Sequence, residues 1–126
     1  MGLADYFQVN QGIGILATAD ANGKVDMAIY DIPHVLDDTT IGLNMLQRLS
    51  YKNLQSNPHA AYMFIEAGTN WNGKRFYLTK MAEQTGDERV RQLRSQGLPL
   101  TDPDQANKHF VTFRIDNVRP FVGDSN

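Results

Sequence analysis

Arg48-Leu49-Ser50-Tyr51-Lys52-Asn53-Leu54-Gln55-Ser56-Asn57-Pro58 is the stretch on which the reading of this chain turns. Before it, Thr40–Met45 reads as a short strand. After it, Ala60–Ile65 reads as another, and its near-continuous apolar character predicts burial on both faces. Between them the pattern changes completely. Ser50 is placed to act as the N-cap of a short helix, and Asn57-Pro58 closes it, because the residue before a proline disfavours the α region. A strand followed by a short helix and a buried strand fixes the middle of the fold, and the rest is read outward from there.

Toward the N-terminus, Asp37-Asp38 marks a turn between Thr40–Met45 and a shorter strand around His34–Leu36, which Pro33 bounds. Val25–Tyr30 alternates, with Val25, Met27 and Ile29 on one face and Asp26, Ala28 and Tyr30 on the other, as a half-buried strand does. Asn22-Gly23 separates it from Ile13–Ala19 and is a strong hairpin signal, since both residues tolerate positive φ. Leu3, Tyr6 and Phe7 stand at helical spacing. Toward the C-terminus, Gly68–Gly73 is a loop carrying Trp71, and Lys74–Ala82 is a strand. Thr85 and Glu88 form a capping box for a helix that turns Val90 and Leu93 inward and sets Asp87 to pair with Arg91. Gly97 and Pro99 end that helix, Thr101-Asp102-Pro103 opens one more turn, and Phe110–Ile115 is a strand that Pro120 limits.

The order is a short helix, about five strands, a short helix, more strands, a helix and a last strand. Tight turns imply antiparallel pairing, and a β core with helices at its ends predicts a small barrel. No repeat, low-complexity tract or linker divides the chain, so residues 1–126 are expected to form a single domain.

Composition narrows the function classes. The absence of cysteine excludes disulfide scaffolds, zinc–thiolate sites, iron–sulfur clusters and cysteine nucleophiles. Twelve Lys+Arg against 14 Asp+Glu, a net charge of -2, give no electrostatic footprint for nucleic acid. No apolar run approaches the ~20 residues of a membrane span, and the start lacks a basic cluster followed by an apolar run, so the expected location is cytoplasmic, away from membranes.

The common catalytic patterns are missing. His34, His59 and His109 do not fall in metal-binding spacing, and no metal site is expected. No serine sits in a G-x-S-x-G elbow, Asp37-Asp38 reads as a solvated turn, and Gly12-Ile13-Gly14 lacks the βαβ unit of a dinucleotide fingerprint. Catalytic residues stay unassigned. The helix that begins near Ser50 offers unpaired N–H groups and a partial positive charge, with Arg48, Lys52 and the Ser50 hydroxyl beside them. That set can hold a phosphate monoester. It is equally the description of a capped helix with two solvated cations.

Gly14-Ile15-Leu16-Ala17-Thr18-Ala19, the hairpin Asn22-Gly23, the strand through Ala28-Ile29-Tyr30 and the run Lys52-Asn53-Leu54-Gln55-Ser56-Asn57-Pro58-His59-Ala60-Ala61 occur together in order. In this the chain resembles the pyridoxamine 5′-phosphate oxidase-like, FMN-binding split-barrel superfamily, from about Leu3 to Val122. The resemblance implies a mainly β fold, a six-stranded antiparallel split β-barrel with short flanking helices, paired as a homodimer with FMN at the subunit interface. It places the flavin ring and ribityl chain on Ala28, Ile29, Tyr30 and Asp31, and the phosphate at Arg48, Leu49, Ser50 and Lys52. Trp71 would stack near the flavin across the dimer or else plug one end of the barrel. Lys74 and Arg75 are the candidate cations for the pyrimidine edge of the ring, and Phe110, Phe113 and Phe121 are core or interface. The function implied is that of a small FMN-dependent oxidoreductase or electron carrier with an unidentified small-molecule or protein redox partner. Oxidation of pyridoxamine phosphate itself is not expected, since the full-length oxidases carry further substrate-binding residues near a later C-terminus. Some split barrels take deazaflavin or haem instead, and a barrel without cofactor would serve as a regulatory or interaction module.

Overall fold

A computed structural model describes residues 2–68 and 70–123. Seven strands form one antiparallel sheet: β1 (Gly12–Ala19), β2 (Val25–Tyr30), β3 (His34–Asp37), β4 (Thr40–Met45), β5 (His59–Glu66), β6 (Gly73–Gln84) and β7 (His109–Pro120). Helices α1 (Leu3–Val9), α2 (Leu49–Ser56) and α3 (Gly86–Ser95) and a short 3-10 helix (Gln105–Asn107) flank it. The strand count is one more than the resemblance implies, and four strands rather than about five precede α2. The fold class itself, a mainly β split barrel, stands.

The spatial order is β2-β1-β5-β6-β7-β4-β3. Two strands that follow each other in sequence, β2 and β3, therefore lie at opposite edges of the sheet. Only Asp31, Ile32 and Pro33 connect them, so the curled sheet brings its two edges together without a ladder between them. Pro33 is buried at the start of β3 and has no N–H to donate across that gap. This is the split of the barrel.

The inner face of the sheet holds the core. Leu16, Tyr62 and Phe76 are cross-strand neighbours on β1, β5 and β6, and Ile41, Leu43, Val111 and Phe113 close the other half. Gly14 leaves room on β1 for the Tyr62 ring: a Cβ there would lie 2.0 Å from the Tyr62 hydroxyl oxygen. That hydroxyl donates to the Asp31 carbonyl at 3.1 Å and so pins the connector beside the split.

Local signals explain most of the turns. In the β1–β2 hairpin, Gly23 alone takes positive φ (82°), and the Gly23 N–H donates to the Asp20 carbonyl at 3.1 Å. The loop is thus a type I turn closed by a left-handed glycine, and Asn22 need not be left-handed. The Asp20 carboxylate accepts from the Asn22 and Lys24 N–H groups, each at 2.9 Å, and holds the turn. At α3 the capping box forms in full, with Glu88 N–H donating to the Thr85 hydroxyl at 3.2 Å. Thr85→Ala is expected to cost about 0.5–2 kcal/mol in a denaturant titration. A loss below that range would show that the packing of α3 holds its end without the cap. Leu93 is buried as anticipated, but Asp87 and Arg91 do not pair, and Arg89 turns in over Phe110 at 3.8 Å from the ring centroid.

The sequence around α2 is also explained. Asn53 is buried and donates to the Thr18 hydroxyl of β1 at 3.1 Å, and Leu54 enters the core. The Asn57 side chain accepts from the His59 N–H at 3.0 Å where β5 begins, and the Pro58 carbonyl accepts from Lys80 N–H at 2.8 Å on β6.

Exposure corrects the two-sided burial expected of β5 and shows which face of the alternating β2 is covered. Val25, Met27 and Ile29 do share a face of β2, but they are 78%, 74% and 78% exposed. The reason is the position of β2 at the sheet edge, where the face away from the core has nothing packed on it. β5 is an interior strand buried on its inner face, while Ala61, Met63 and Ile65 on the outer face of the sheet are half-buried. Among the described residues no helix is long and apolar enough to cross a membrane.

Candidate functional site

A cleft of about 630 Å³ occupies the split. Asp26–Ile32 form one side, Leu43, Asn44 and Leu46 of β4 and its end form the floor, and Arg48–Ser50 close one end. His34, Thr101, Asp102, Pro103 and Lys108 complete the far wall. The fold thus brings Ala28, Ile29, Tyr30 and Asp31 together with Arg48, Leu49 and Ser50 around one cavity. The β2 edge facing the split has no neighbouring strand, so alternate main-chain N–H and C=O groups there are open to a ligand.

At the α2 end the structure corrects the capping assignment. Arg48, not Ser50, is the N-cap residue, its backbone is extended, and no side chain caps the helix. Ser50 lies inside the first turn of α2, buried, and its hydroxyl favours ionisation of the Tyr30 phenol. The first N–H groups of α2 are therefore left without side-chain partners beside the Arg48 guanidinium, an arrangement that favours an anion. Tyr30 belongs both to the edge of the core and to the cleft. Burial raises the pKa of its phenol, while the Ser50 hydrogen bond and the Arg48 charge pull it back.

Lys52 is not part of this cavity. It lines a neighbouring cleft of about 470 Å³ with Lys24, Asp20, Asn53 and Gln55, and Asp26 and Leu49 separate the two. Trp71 is 79% exposed with φ at +53°, close to Phe121 at 6.3 Å between ring centroids. It does not plug the barrel and does not line the cleft of its own chain. Phe110 and Phe113 are core, and Phe121 is half-buried. Lys74 sits 4.9 Å from the Tyr6 ring centroid and Arg75 donates to the Pro120 carbonyl at 2.8 Å, so neither reaches this cleft from its own chain.

The far wall is a polar network that sequence reasoning missed. Lys108 donates to the Asp102 carboxylate at 2.8 Å, and the other Asp102 oxygen accepts from the Asp104 N–H at 2.9 Å. The Asn44 carbonyl accepts from Gln105 at 2.8 Å, which turns its amide nitrogen toward His34 Nε2 and Asp102, both at 3.4 Å. Lys108 and the Asp104 N–H hold the Asp102 pKa down, and Asp102 raises that of Lys108, so both are charged at neutral pH. Burial, and then Arg89, lower the His34 pKa against the pull of Asp102 and Asp31, and the imidazole stays neutral. No three His, Cys, Asp or Glu side chains converge to hold a metal among the described residues.

No protein-family model matches the sequence, and no curated protein sequence does either. Solved structures do match. An FMN-binding protein from Syntrophomonas wolfei superimposes with a TM-score of 0.69 at 20% identity, over 93% of this chain and 82% of its own. An F420 reductase gives a TM-score of 0.67 at 18% identity, over 90% and 94%. A pyridoxamine 5′-phosphate oxidase-like protein from Lactobacillus delbrueckii gives 0.70 at 18%, over 90% and 87%. The chain therefore has the mainly β split-barrel fold that these FMN-binding, F420 reductase and pyridoxamine 5′-phosphate oxidase-like proteins share.

Proposed function

We propose that the cleft in the split binds FMN and that the protein is a flavin-dependent oxidoreductase or electron carrier. The observation that carries this reading is the convergence of the open β2 edge, the uncapped start of α2 and Arg48 on one cavity. Its volume lies in the range of small-molecule and cofactor sites. Ala28, Ile29, Tyr30 and Asp31 would hold the ring and ribityl chain, chiefly by main-chain groups. Arg48, the Leu49 and Ser50 N–H groups and, through them, the α2 dipole would hold the phosphate. When bound, the flavin supplies the electron or hydride chemistry, and the protein supplies position and electrostatics.

The second part of the proposal is a homodimer. The outer face of β2, β1 and β5 carries Val25, Met27 and Ile29 beside Ile13, Ile15, Met63 and Ile65, an apolar surface of the kind that marks an interface. A second copy covers it by two-fold symmetry. In that dimer Trp71, Lys74, Arg75 and Lys52 remain candidates to approach the partner's flavin.

A deazaflavin is the second reading, favoured by the similarity to an F420 reductase. The test is the absorption spectrum of the purified protein, with the released chromophore identified by chromatography. A yellow protein releasing FMN is the expected result, and added FMN should raise the Tm of any apoprotein. A deazaflavin or Soret spectrum would replace FMN by another cofactor. A colourless protein whose Tm ignores FMN would overturn the reading in favour of an interaction module.

A further inference from the structure

Arg48 and Lys108 are the cations that line the split among the described residues, and they stand in different electrostatic surroundings. Arg48 acts on Tyr30 beside the start of α2. Lys108 acts with Asp102, Asp104 and Asp31, and Asp102 and Asp31 also act on His34. The Asn44 amide lies 3.4 Å from both Asp102 and His34 Nε2, and His34 follows the connector of residues 31–33, so the pair lines the cleft beside that connector. Its ammonium is already in place: Asp102 holds it at 2.8 Å, and the turn around Asp104 and Gln105 holds Asp102. The pair is only about one-fifth to one-quarter exposed, which reduces solvent screening.

Resting on the FMN reading above, we propose that the Asp102–Lys108 pair sets the reduction potential of the bound flavin. A flavin ring takes up negative charge on its pyrimidine side when it is reduced, and charge near the ring tunes that step. Lys108 favours the charge, while the Asp102 carboxylate opposes it. Within one chain the pair supplies what Lys74 and Arg75 do not, since neither lines the cleft of its own chain. A lone cation would drive the potential up. A cation held on a carboxylate leaves it intermediate and adjustable by either partner.

The two residues therefore predict shifts of opposite sign. In FMN-loaded protein, Lys108→Met should lower the affinity for reduced over oxidised flavin about tenfold, a fall in potential of about 30 mV for two electrons. Asp102→Asn should raise the potential, and Lys108→Arg should stay near wild type. Potentials are read by spectroscopic titration against a reference dye, and oxidised-FMN affinity is read separately by fluorescence quenching. A merely structural role would move both variants the same way or neither, and that result overturns the proposal while leaving the cofactor reading intact. Should Lys108→Met fail to fold, an unchanged potential in Asp102→Asn overturns it equally. Wild-type protein that takes up no FMN overturns both.

Discussion

Arg48→Ala is expected to weaken FMN binding by about ten- to a hundredfold and to leave riboflavin binding nearly unchanged. The argument starts from the end of α2, where the structure puts Arg48 at the N-cap with no side chain bonded to the helix N–H groups. A phosphate placed there accepts from those groups and from the guanidinium. A hydrogen bond to a charged group contributes roughly 1.5–3 kcal/mol, and about 1.4 kcal/mol is a factor of ten in affinity. Riboflavin lacks the phosphate and keeps every contact along β2. The helix N-terminus survives the substitution and retains part of the binding, which bounds the loss. Ser50→Ala should cost less, since it removes one neutral, buried hydroxyl while the peptide N–H remains. Isothermal titration with the two ligands makes the comparison. Equal losses for FMN and riboflavin would place the phosphate elsewhere in the molecule.

The parts of this fold that were legible in the sequence are those specified by neighbours in the chain. The Thr85–Glu88 box, the Gly23 turn and the Asn57-Pro58 stop each act within a few residues, and each forms as the local chemistry dictates. Ser50 shows the limit of such reasoning. A serine ahead of a helical run is a good cap in isolation, yet here burial against Tyr30 takes the side chain and the helix begins two residues earlier. The far wall of the cleft had no local signal at all. Asn44 and Asp102 are 58 residues apart and meet because β4 pairs with β7, a crossover that periodicity does not reveal. Alternation in β2 likewise identified which side chains share a face without saying what covers them.

That uncovered face yields the other large effect. If the protein forms the proposed homodimer, Val25→Asp is expected to convert it to a monomer, raising the dimer dissociation constant at least about a thousandfold, or ~4 kcal/mol. Val25, Met27 and Ile29 lie opposite Ala19, Ala17 and Ile15 in the β1–β2 ladder, and Ala17 and Ile15 in turn face Ala61 and Met63 on β5. The result is a three-strand apolar surface whose β2 row is about three-quarters exposed in the isolated chain. Each such side chain, fully buried, contributes about 1.5–3 kcal/mol, and two-fold symmetry counts every contact twice. The cost of association cancels much of this, but a carboxylate at Val25 adds a desolvation penalty of several kcal/mol in each copy. Val25 does not line the larger cleft, so the substitution removes the partner without removing a ligand contact. It is also exposed within its own chain, so the monomer should unfold at nearly the wild-type denaturant midpoint once the dimer contribution is subtracted. Sedimentation velocity of the two proteins decides the matter. A wild type that sediments as a monomer, or a Val25→Asp variant that stays dimeric, would show that this face serves something other than a second copy. If the dimer does dissociate, FMN affinity in the monomer then measures how much of the site the partner supplies. An unchanged affinity would assign the whole site to one chain, and a large loss would bring Trp71, Lys74 or Arg75 of the second copy onto the ring.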